Sequence, residues 1–253
     1  MKKKQFRMLV LFFLLLSLSV FAEVEASEAK EAVDYLPIDP ATVSIYVFAL
    51  VLLIAALSLL LQNRLSEKTK KIFFIIIAAT VVLATLYVSG STVFLNLVSA
   101  SQGPIHWHAD FEIWLCGENV TSIAKPEFPR NKVGNETLHH HNDFRIHVEG
   151  LVVNKQDVSL GRFFQSIGGG LTKDSIIVPL ENGEKLSYTN GMLCPNGKTG
   201  KLRLLVMNSQ TAGEFVERQE LDEYTISPFF TTIAEGGQGD LLKIVFETEG
   251  EKK

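Results

Sequence analysis

The chain has 253 residues, of which 47% are hydrophobic, and a formal net charge of −4. Residues 1–100 carry nine Lys/Arg against seven Asp/Glu, whereas residues 101–253 carry 15 against 21. The second part of the chain is therefore mildly acidic and lacks the basic stripe of a nucleic-acid-binding protein, so we expect no nucleic-acid partner.

A basic and then apolar segment opens the chain. The sequence MKKKQFR is followed by MLVLFFLLLSLSVFA, with the small residues Ala22 and Ala26 as candidate cleavage points. This pattern predicts a signal peptide over residues 1–26, and an uncleaved signal anchor is the alternative. We interpret residues 27–42 as an extracytoplasmic linker.

Two longer apolar segments, residues 43–61 and 72–98, contain no charged residue and are long enough to cross a hydrocarbon core of roughly 30 Å. They predict a pair of transmembrane helices that anchors the chain in a lipid bilayer. The connection between them, residues 62–71, carries four Lys/Arg against one Glu, so the positive-inside rule places it in the cytoplasm. The chain is then a multi-pass protein of the cell membrane, with residues 101–253 as an extracytoplasmic domain.

The first strand of this domain is predicted from strict alternation over residues 105–116. One side of a strand takes every second residue, so a buried face and a polar face separate. The apolar face holds Trp107, Ala109, Phe111, Ile113 and Leu115, and the opposite face holds His106, His108, Asp110, Glu112 and Trp114.

A second strand with the same character is predicted over residues 138–150, LHHHNDFRIHVEG. Phe144, Ile146 and Val148 share one parity, which we assign to the core. The other parity holds His139, His141, Asp143, Arg145, His147 and Glu149. His140 has the parity of the core residues and is left out of the polar group.

The remaining patterns predict a mainly β domain, of the β-rich α+β class, with short helices. Asp157 or Ser159 can cap a helix that carries four apolar residues at helical spacing and ends at glycines 168–170. These apolar residues are Leu160, Phe163, Phe164 and Ile167. Further strands are predicted at 175–180, 184–189, 201–208 and 241–248, and a second helix within residues 210–226.

All six histidines of the chain lie between residues 106 and 147. Neutral imidazole is a common ligand of zinc and copper, and histidines two apart on a strand point to the same side. We therefore predict a transition-metal site for copper or zinc, with five candidate ligands: His106, His108, His139, His141 and His147. The alternative is that these histidines are polar residues without a ligand.

Carboxylates accompany the histidines on both predicted strands. They are Asp110, Glu112, Asp143 and Glu149. Such groups either complete the set of metal ligands or accept the outer N–H of a ligating histidine and orient its ring. The sequence leaves both roles open.

Cys116 and Cys194 are the only cysteines, and both belong to the domain predicted to face an oxidising exterior. An even pair in that compartment favours a disulfide. In the alternative, Cys116 is a thiolate ligand of a blue-copper type site, with Met192 or Met207 as the axial ligand.

The histidine motifs resemble those of two groups of proteins. His106, His108 and Glu112 match HxHxxxE, the first half of the cupin metal motif, while the second half has no match here. Residues 106–164 resemble uncharacterised, membrane-anchored or secreted prokaryotic proteins with an HxH strand, a second HxH followed by IHxE, and an LGxFF helix. This resemblance implies a shared histidine site and no particular chemistry.

These patterns lead to one functional hypothesis and two alternatives. We expect a membrane-anchored domain that binds a transition metal for capture, delivery or sensing. A metal-dependent hydrolase or oxidoreductase with three histidine ligands, an open coordination position and Glu112 or Glu149 as general base is the first alternative. The second is a metal-free accessory subunit that binds a partner in a membrane complex.

Overall fold

The computed structural model describes residues 32–208, 211–226 and 239–248. The signal segment predicted over residues 1–26 lies outside these ranges. The chain forms two compact units, one of which contains residues 33–95 and the other residues 96–253. Each unit is described by itself below.

Two long helices form the first unit, after a 3-10 turn at Ala32–Tyr35. Helix α1 spans Pro40–Leu61 and begins with Asp39, whose carboxylate accepts hydrogen bonds from two backbone N–H groups of the first turn. Helix α2 spans Glu67–Val98. At 1.5 Å per residue, their 22 and 32 residues correspond to lengths of roughly 33 and 48 Å.

The surfaces of α1 and α2 are apolar, and many of their large hydrophobic side chains are exposed. Both helices are long and apolar enough to cross a bilayer core of roughly 30 Å. The connection between the helices is shorter than the sequence predicts, because α2 already begins at Glu67. The Ser66 hydroxyl accepts the backbone N–H of Thr69 at 3.2 Å, which caps this earlier start.

The second unit consists mainly of strands. Their bounds are β1 Ile105–Leu115, β2 Glu118–Asn119, β3 Val133–Gly134, β4 Leu138–His140, β5 Arg145–Gly150, β6 Gly170–Leu171, β7 Ser175–Pro179, β8 Lys185–Thr189, β9 Gly200–Met207, β10 Val216–Arg218 and β11 Asp240–Thr248. A 3-10 turn at Lys155–Val158 leads into helix α3, Leu160–Ser166.

The strands form a large mixed sheet and a small antiparallel sheet. The large sheet has the order β10-β9-β11-β1-β5-β4-β3, with β2 paired to the end of β1, and the small one has the order β6-β7-β8. Strand β1 is parallel to β11 and antiparallel to β5. It therefore lies in the middle of the large sheet, and its two faces carry different chemistry.

The apolar face of β1 packs into the core as predicted. Phe111 lies with its ring centroid 5.4 Å from Phe163 of α3, and both side chains are buried. The predicted helix is confirmed, and its cap is Ser159, whose hydroxyl accepts the backbone N–H of Arg162. Asp157, the other candidate cap, lies in the preceding 3-10 turn.

Two predicted elements are wrong. Residues 138–150 form the hairpin β4–β5 instead of one strand, because Asn142 and Phe144 adopt left-handed backbone angles with φ of 66° and 53°. The carboxylate of Asp143 stabilises this turn by accepting the backbone N–H groups of His141 and Arg145.

The second error concerns the helix expected within residues 210–226. The described residues 211–226 contain turns and the edge strand β10, which pairs with β9. Gly213 and Ala212 both have positive φ, which ends any helical path at that point. The four strands predicted at 175–180, 184–189, 201–208 and 241–248 correspond to β7, β8, β9 and β11.

A disulfide joins Cys116, which follows β1 directly, to Cys194 in the connection between β8 and β9. The backbone N–H of Cys116 also donates to the carbonyl of Phe246 in β11 at 2.7 Å. The disulfide therefore attaches the loop before β9 to the central strand of the large sheet.

Candidate metal centre

The histidines meet because of the register of three neighbouring strands. His108 in β1 lies opposite His147 in β5, and His147 lies opposite His139 in β4. His106 is the partner of Glu149 in the same pairing of β1 with β5. Residues directly opposed in antiparallel strands point to one face, with Cβ atoms about 4.5–5.5 Å apart. A row of three histidines therefore crosses the sheet on the face opposite the core residues of β1.

His147 occupies the centre of this group. Its ring centroid lies 4.6 Å from that of His108, 4.7 Å from that of His141 and 5.5 Å from that of His139. The rings of His106 and His108 are 4.7 Å apart, and those of His139 and His141 are 5.1 Å apart. The sequence suggested two HxH pairs with His147 as an addition, and the structure places both pairs around His147.

Two sets of three histidines each have ligand nitrogens within 4.8 Å of one another. We call His106, His108 and His147 the outer triad, and His139, His141 and His147 the inner triad. The names follow exposure: the side chain of His106 is 60% exposed, that of His147 12% and that of His139 1%. Each triad can hold a metal ion, and three ligands leave a fourth tetrahedral position open.

The ring nitrogens of the outer triad converge in the way that metal ligands do. Nε2 of His106 lies 3.0 Å from Nε2 of His108. Two nitrogens bound to a tetrahedral zinc ion at about 2.0–2.1 Å are roughly 3.3 Å apart. A small opening of the two rings therefore suffices for both nitrogens to bind one ion.

Hydrogen bonds to neighbouring acceptors orient two rings of the inner triad. Nδ1 of His141 lies 2.6 Å from the carbonyl oxygen of Asn131, so Nδ1–H is the donor and the lone pair is on Nε2. Nε2 of His147 lies 3.2 Å from Oδ2 of Asp143, which favours a proton on Nε2 and a lone pair on Nδ1. Nδ1 of His147 and Nδ1 of His139 are buried and have no hydrogen-bond partner among the described residues.

Burial favours the neutral form of two of these rings, His139 and His108, and a neutral ring is what metal binding requires. Burial lowers the pKa of His139 to about 4, and the charge of Lys132 contributes to this shift. Burial also lowers the pKa of His108, and His147 and His106 lower it further. At neutral pH His139 and His108 are therefore in the neutral form that binds a metal ion.

Two of the four predicted carboxylates contact the histidines. Oε1 of Glu149 lies 3.1 Å from Nε2 of His106 and 3.9 Å from Nε2 of His139, so this carboxylate is shared between the two triads. Asp143 contacts His147. Burial alone would raise the pKa of Asp143, but hydrogen bonds from the His147 ring and from two backbone N–H groups outweigh it and lower this pKa. Asp143 is therefore ionised and suited to orient His147.

The other two carboxylates have different partners. Asp110 accepts hydrogen bonds from Nε and Nη2 of Arg145 at 2.6 and 3.1 Å. Glu112 accepts the indole N–H of Trp114 at 2.8 Å. Both lie on the polar face of β1, and their roles as ligand or general base stay predictions.

His140 belongs to the opposite side of the sheet, as its parity predicts. Its side chain is fully buried, and its ring lies 6.0 Å from that of Phe163 in the core. Nδ1 accepts the backbone N–H of Asn142 at 3.0 Å. His140 is a member of neither triad, and it therefore provides a matched control histidine next to the site.

The disulfide decides between the two roles considered for Cys116. Its sulfur is bonded to that of Cys194 and is not available as a thiolate ligand. Met192, one candidate axial ligand, accepts the backbone N–H of Thr189 through its sulfur at 3.2 Å. The structure does not support the blue-copper arrangement.

One residue of the site, Asn131, was missed by the sequence analysis. It acts through its backbone carbonyl and lies in the long connection between β2 and β3, so its side chain carries no signal of this role. The central position of His147 had a weak signal, since IHVE repeats the parity of the HxH pairs without repeating their spacing.

No protein family, curated protein or solved structure matches this chain.

Proposed function

We propose that this protein is a membrane-anchored binding protein for a transition metal ion, copper or zinc, which it holds through the histidine cluster. The observation that carries the proposal is that two sets of three histidines each bring their ligand nitrogens within 4.8 Å of one another. The ion is the cargo that the domain captures, delivers or senses.

The donor set fits such an ion. Nδ1 of His139 and Nδ1 of His147 are buried without a hydrogen-bond partner in the described part of the chain. An unsatisfied buried polar atom costs about 1–3 kcal/mol, and coordination of a metal ion removes that cost. Imidazole nitrogens suit zinc and copper, whereas calcium and magnesium require oxygen ligands, so these triads are suited to a transition metal.

The remainder of the chain is suited to capturing ions near a membrane. Helices α1 and α2 are long and apolar enough to span a bilayer, and residues 101–253 carry 15 Lys/Arg against 21 Asp/Glu. Negative charge raises the local concentration of cations. Arg64, together with the lysines at the start of α2, favours placing this end of the two helices in the cytoplasm and the histidine domain outside the cell.

Metal titration of the full-length chain tests this proposal. The protein is prepared in detergent without a histidine tag and stripped with a chelator, and zinc or copper(II) binding is then measured by calorimetry. His147→Ala removes a ligand from both triads. Loss of a group that only orients a ligand typically weakens metal binding about 10–100-fold, and loss of His147 itself should weaken it more. His140→Asn, the matched control, should bind as the native protein does. A native protein that binds neither ion stoichiometrically would overturn the proposal.

An enzyme remains the second candidate because of the three-histidine donor set next to Glu149. A zinc ion there would supply an activated water, and Glu149 is the carboxylate in position to accept a proton. Ester hydrolysis by zinc-loaded protein that is lost in Glu149→Gln would support the enzyme instead.

A metal-free accessory subunit of a membrane complex is the third possibility. It is the outcome indicated if the native chain binds no ion in the titration.

A further inference from the structure

We infer that the histidine cluster is a transfer site, in which a single ion passes from the outer triad to the inner triad while His147 stays bound. This inference rests on the proposed function and adds the route that the ion takes. It explains why five histidines surround a site that needs three or four.

The first step is that the two triads share one residue, His147. Among the described residues, His147 is the only one that belongs to both triads. Its Nε2–H donates to Asp143, so Nδ1 is the nitrogen with a free lone pair. A neutral imidazole offers one lone pair at a time. An ion held by one triad therefore deprives the other triad of its third ligand.

The second step is the difference in exposure between the triads. His106 is the one exposed histidine of the five, with a side chain that is 60% exposed, and His139 is the one buried histidine, at 1%. His108 and His141 are both partly exposed. An ion from solution meets the outer triad first, and binding in the inner triad requires it to move inward. The buried unpartnered Nδ1 of His139 makes the inner position the more stable one, because coordination there removes an unsatisfied buried atom.

The third step is the charge along this path. Glu149 lies within 3.1 Å of His106 and 3.9 Å of His139, so one carboxylate accompanies the ion from the outer to the inner position. The two cationic side chains near the rings each have a carboxylate partner, Asp110 for Arg145 and Glu136 for Lys132, which reduces their repulsion of the ion.

The exchange conserves ligands and protons. The bonds from the ion to His106 and His108 break, bonds to His141 and His139 form, and the bond to His147 persists. The entering ligand His141 keeps its proton on Nδ1 against the carbonyl of Asn131, and the shared ligand His147 keeps its proton on Nε2 against Asp143, so neither ring has to lose a proton. The charge and oxidation state of the ion do not change.

Copper(II) quenching of tryptophan fluorescence measures both steps in the full-length protein. The only tryptophans of the chain, Trp107 and Trp114, lie in β1, and Trp107 stands between His106 and His108. In stopped flow we expect a fast phase whose rate rises with copper concentration, followed by a slower phase whose rate does not. Equilibrium dialysis should give one ion per chain.

Variants separate the two positions. The double variant His106→Ala/His108→Ala should slow the fast phase by at least about tenfold. Its equilibrium affinity for copper should change much less. His141→Ala should abolish the slow phase and weaken the affinity by at least about tenfold, while the fast phase persists. The ring of His141 is partly exposed, so this variant leaves the core intact, and His140→Asn should behave like the native chain.

Two ions bound per chain would overturn the inference, since they require His147 to bridge them and lose its bond to Asp143. A single phase in the native protein, or equal effects of the outer and inner variants on rate and affinity, would overturn it as well. These results leave metal binding intact and so differ from failure of the proposed function, in which the native protein binds no ion.

Discussion

Acid should destabilise the histidine domain through two neutral histidines that are buried in the metal-free protein. Burial lowers the pKa of His140, and likewise that of His139, to about 4 from an ordinary value of 6.5. The unfolded chain therefore takes up protons on both residues below about pH 6.5, whereas the folded chain does so only near pH 4. The stability that these residues contribute is complete above pH 6.5 and is lost as the pH falls towards 4.

The size of the effect follows from these two pKa values. Between pH 7 and pH 5 each histidine should lower the free energy of unfolding by roughly 2 kcal/mol, or about 4 kcal/mol for the pair. This is a large share of the 5–15 kcal/mol that is typical of a folded domain. The interval from pH 7 to pH 5 also lies above the pH at which most carboxylates titrate, so the histidines dominate the change in the free energy of unfolding.

Urea unfolding of the stripped full-length chain, followed by tryptophan fluorescence at pH 7 and pH 5, measures this effect. His140→Asn keeps an acceptor for the backbone N–H of Asn142 but does not titrate, so the loss between the two pH values should fall to about 2 kcal/mol. Phe163→Leu is the control, because it should lower stability equally at both pH values. A loss in His140→Asn as large as in the native chain would refute the reasoning.

Three further predictions concern the core, the disulfide and the orientation of His147. Phe163→Ala should lower the free energy of unfolding by about 3–5 kcal/mol, because its fully buried ring packs on Phe111, and equal stability of this variant would contradict the packing. Replacing Cys116 and Cys194 by serine opens a loop with a sequence separation of 78 and should cost about 4 kcal/mol in urea unfolding, and an unchanged midpoint would argue against the bond. Asp143→Asn keeps Oδ1 for the turn but loses the oxygen that accepts the N–H of His147, so the zinc affinity measured by calorimetry should fall about 10–100-fold. An unchanged affinity would contradict the orienting role of Asp143.

The alternation in β1 was sufficient to predict which side of that strand is buried. Phe111, Ile113 and Leu115 enter the core and His106 and His108 point away from it, because side chains of a strand alternate whatever its neighbours are. The helix capped by Ser159 was predictable for the same kind of reason, since its cap, its apolar spacing and its terminal glycines are local signals.

The arrangement of the site depends on non-local facts that the sequence does not carry. The hairpin β4–β5 rests on left-handed angles at Asn142 and Phe144, and phenylalanine is not a residue that predicts such an angle. The central position of His147 rests on the register that places it between His108 and His139. Parity could predict that the histidines share a face, but it could not tell which of them meet.

The metal content of the full-length chain tests the central claim most directly. Native protein, His147→Ala and His140→Asn are purified without a histidine tag, dialysed against a low concentration of zinc or copper, and analysed by elemental mass spectrometry. We predict one bound ion per chain in the native protein and in His140→Asn, and almost none in His147→Ala. Absence of bound metal from the native protein, or equal metal content in all three, would contradict the account.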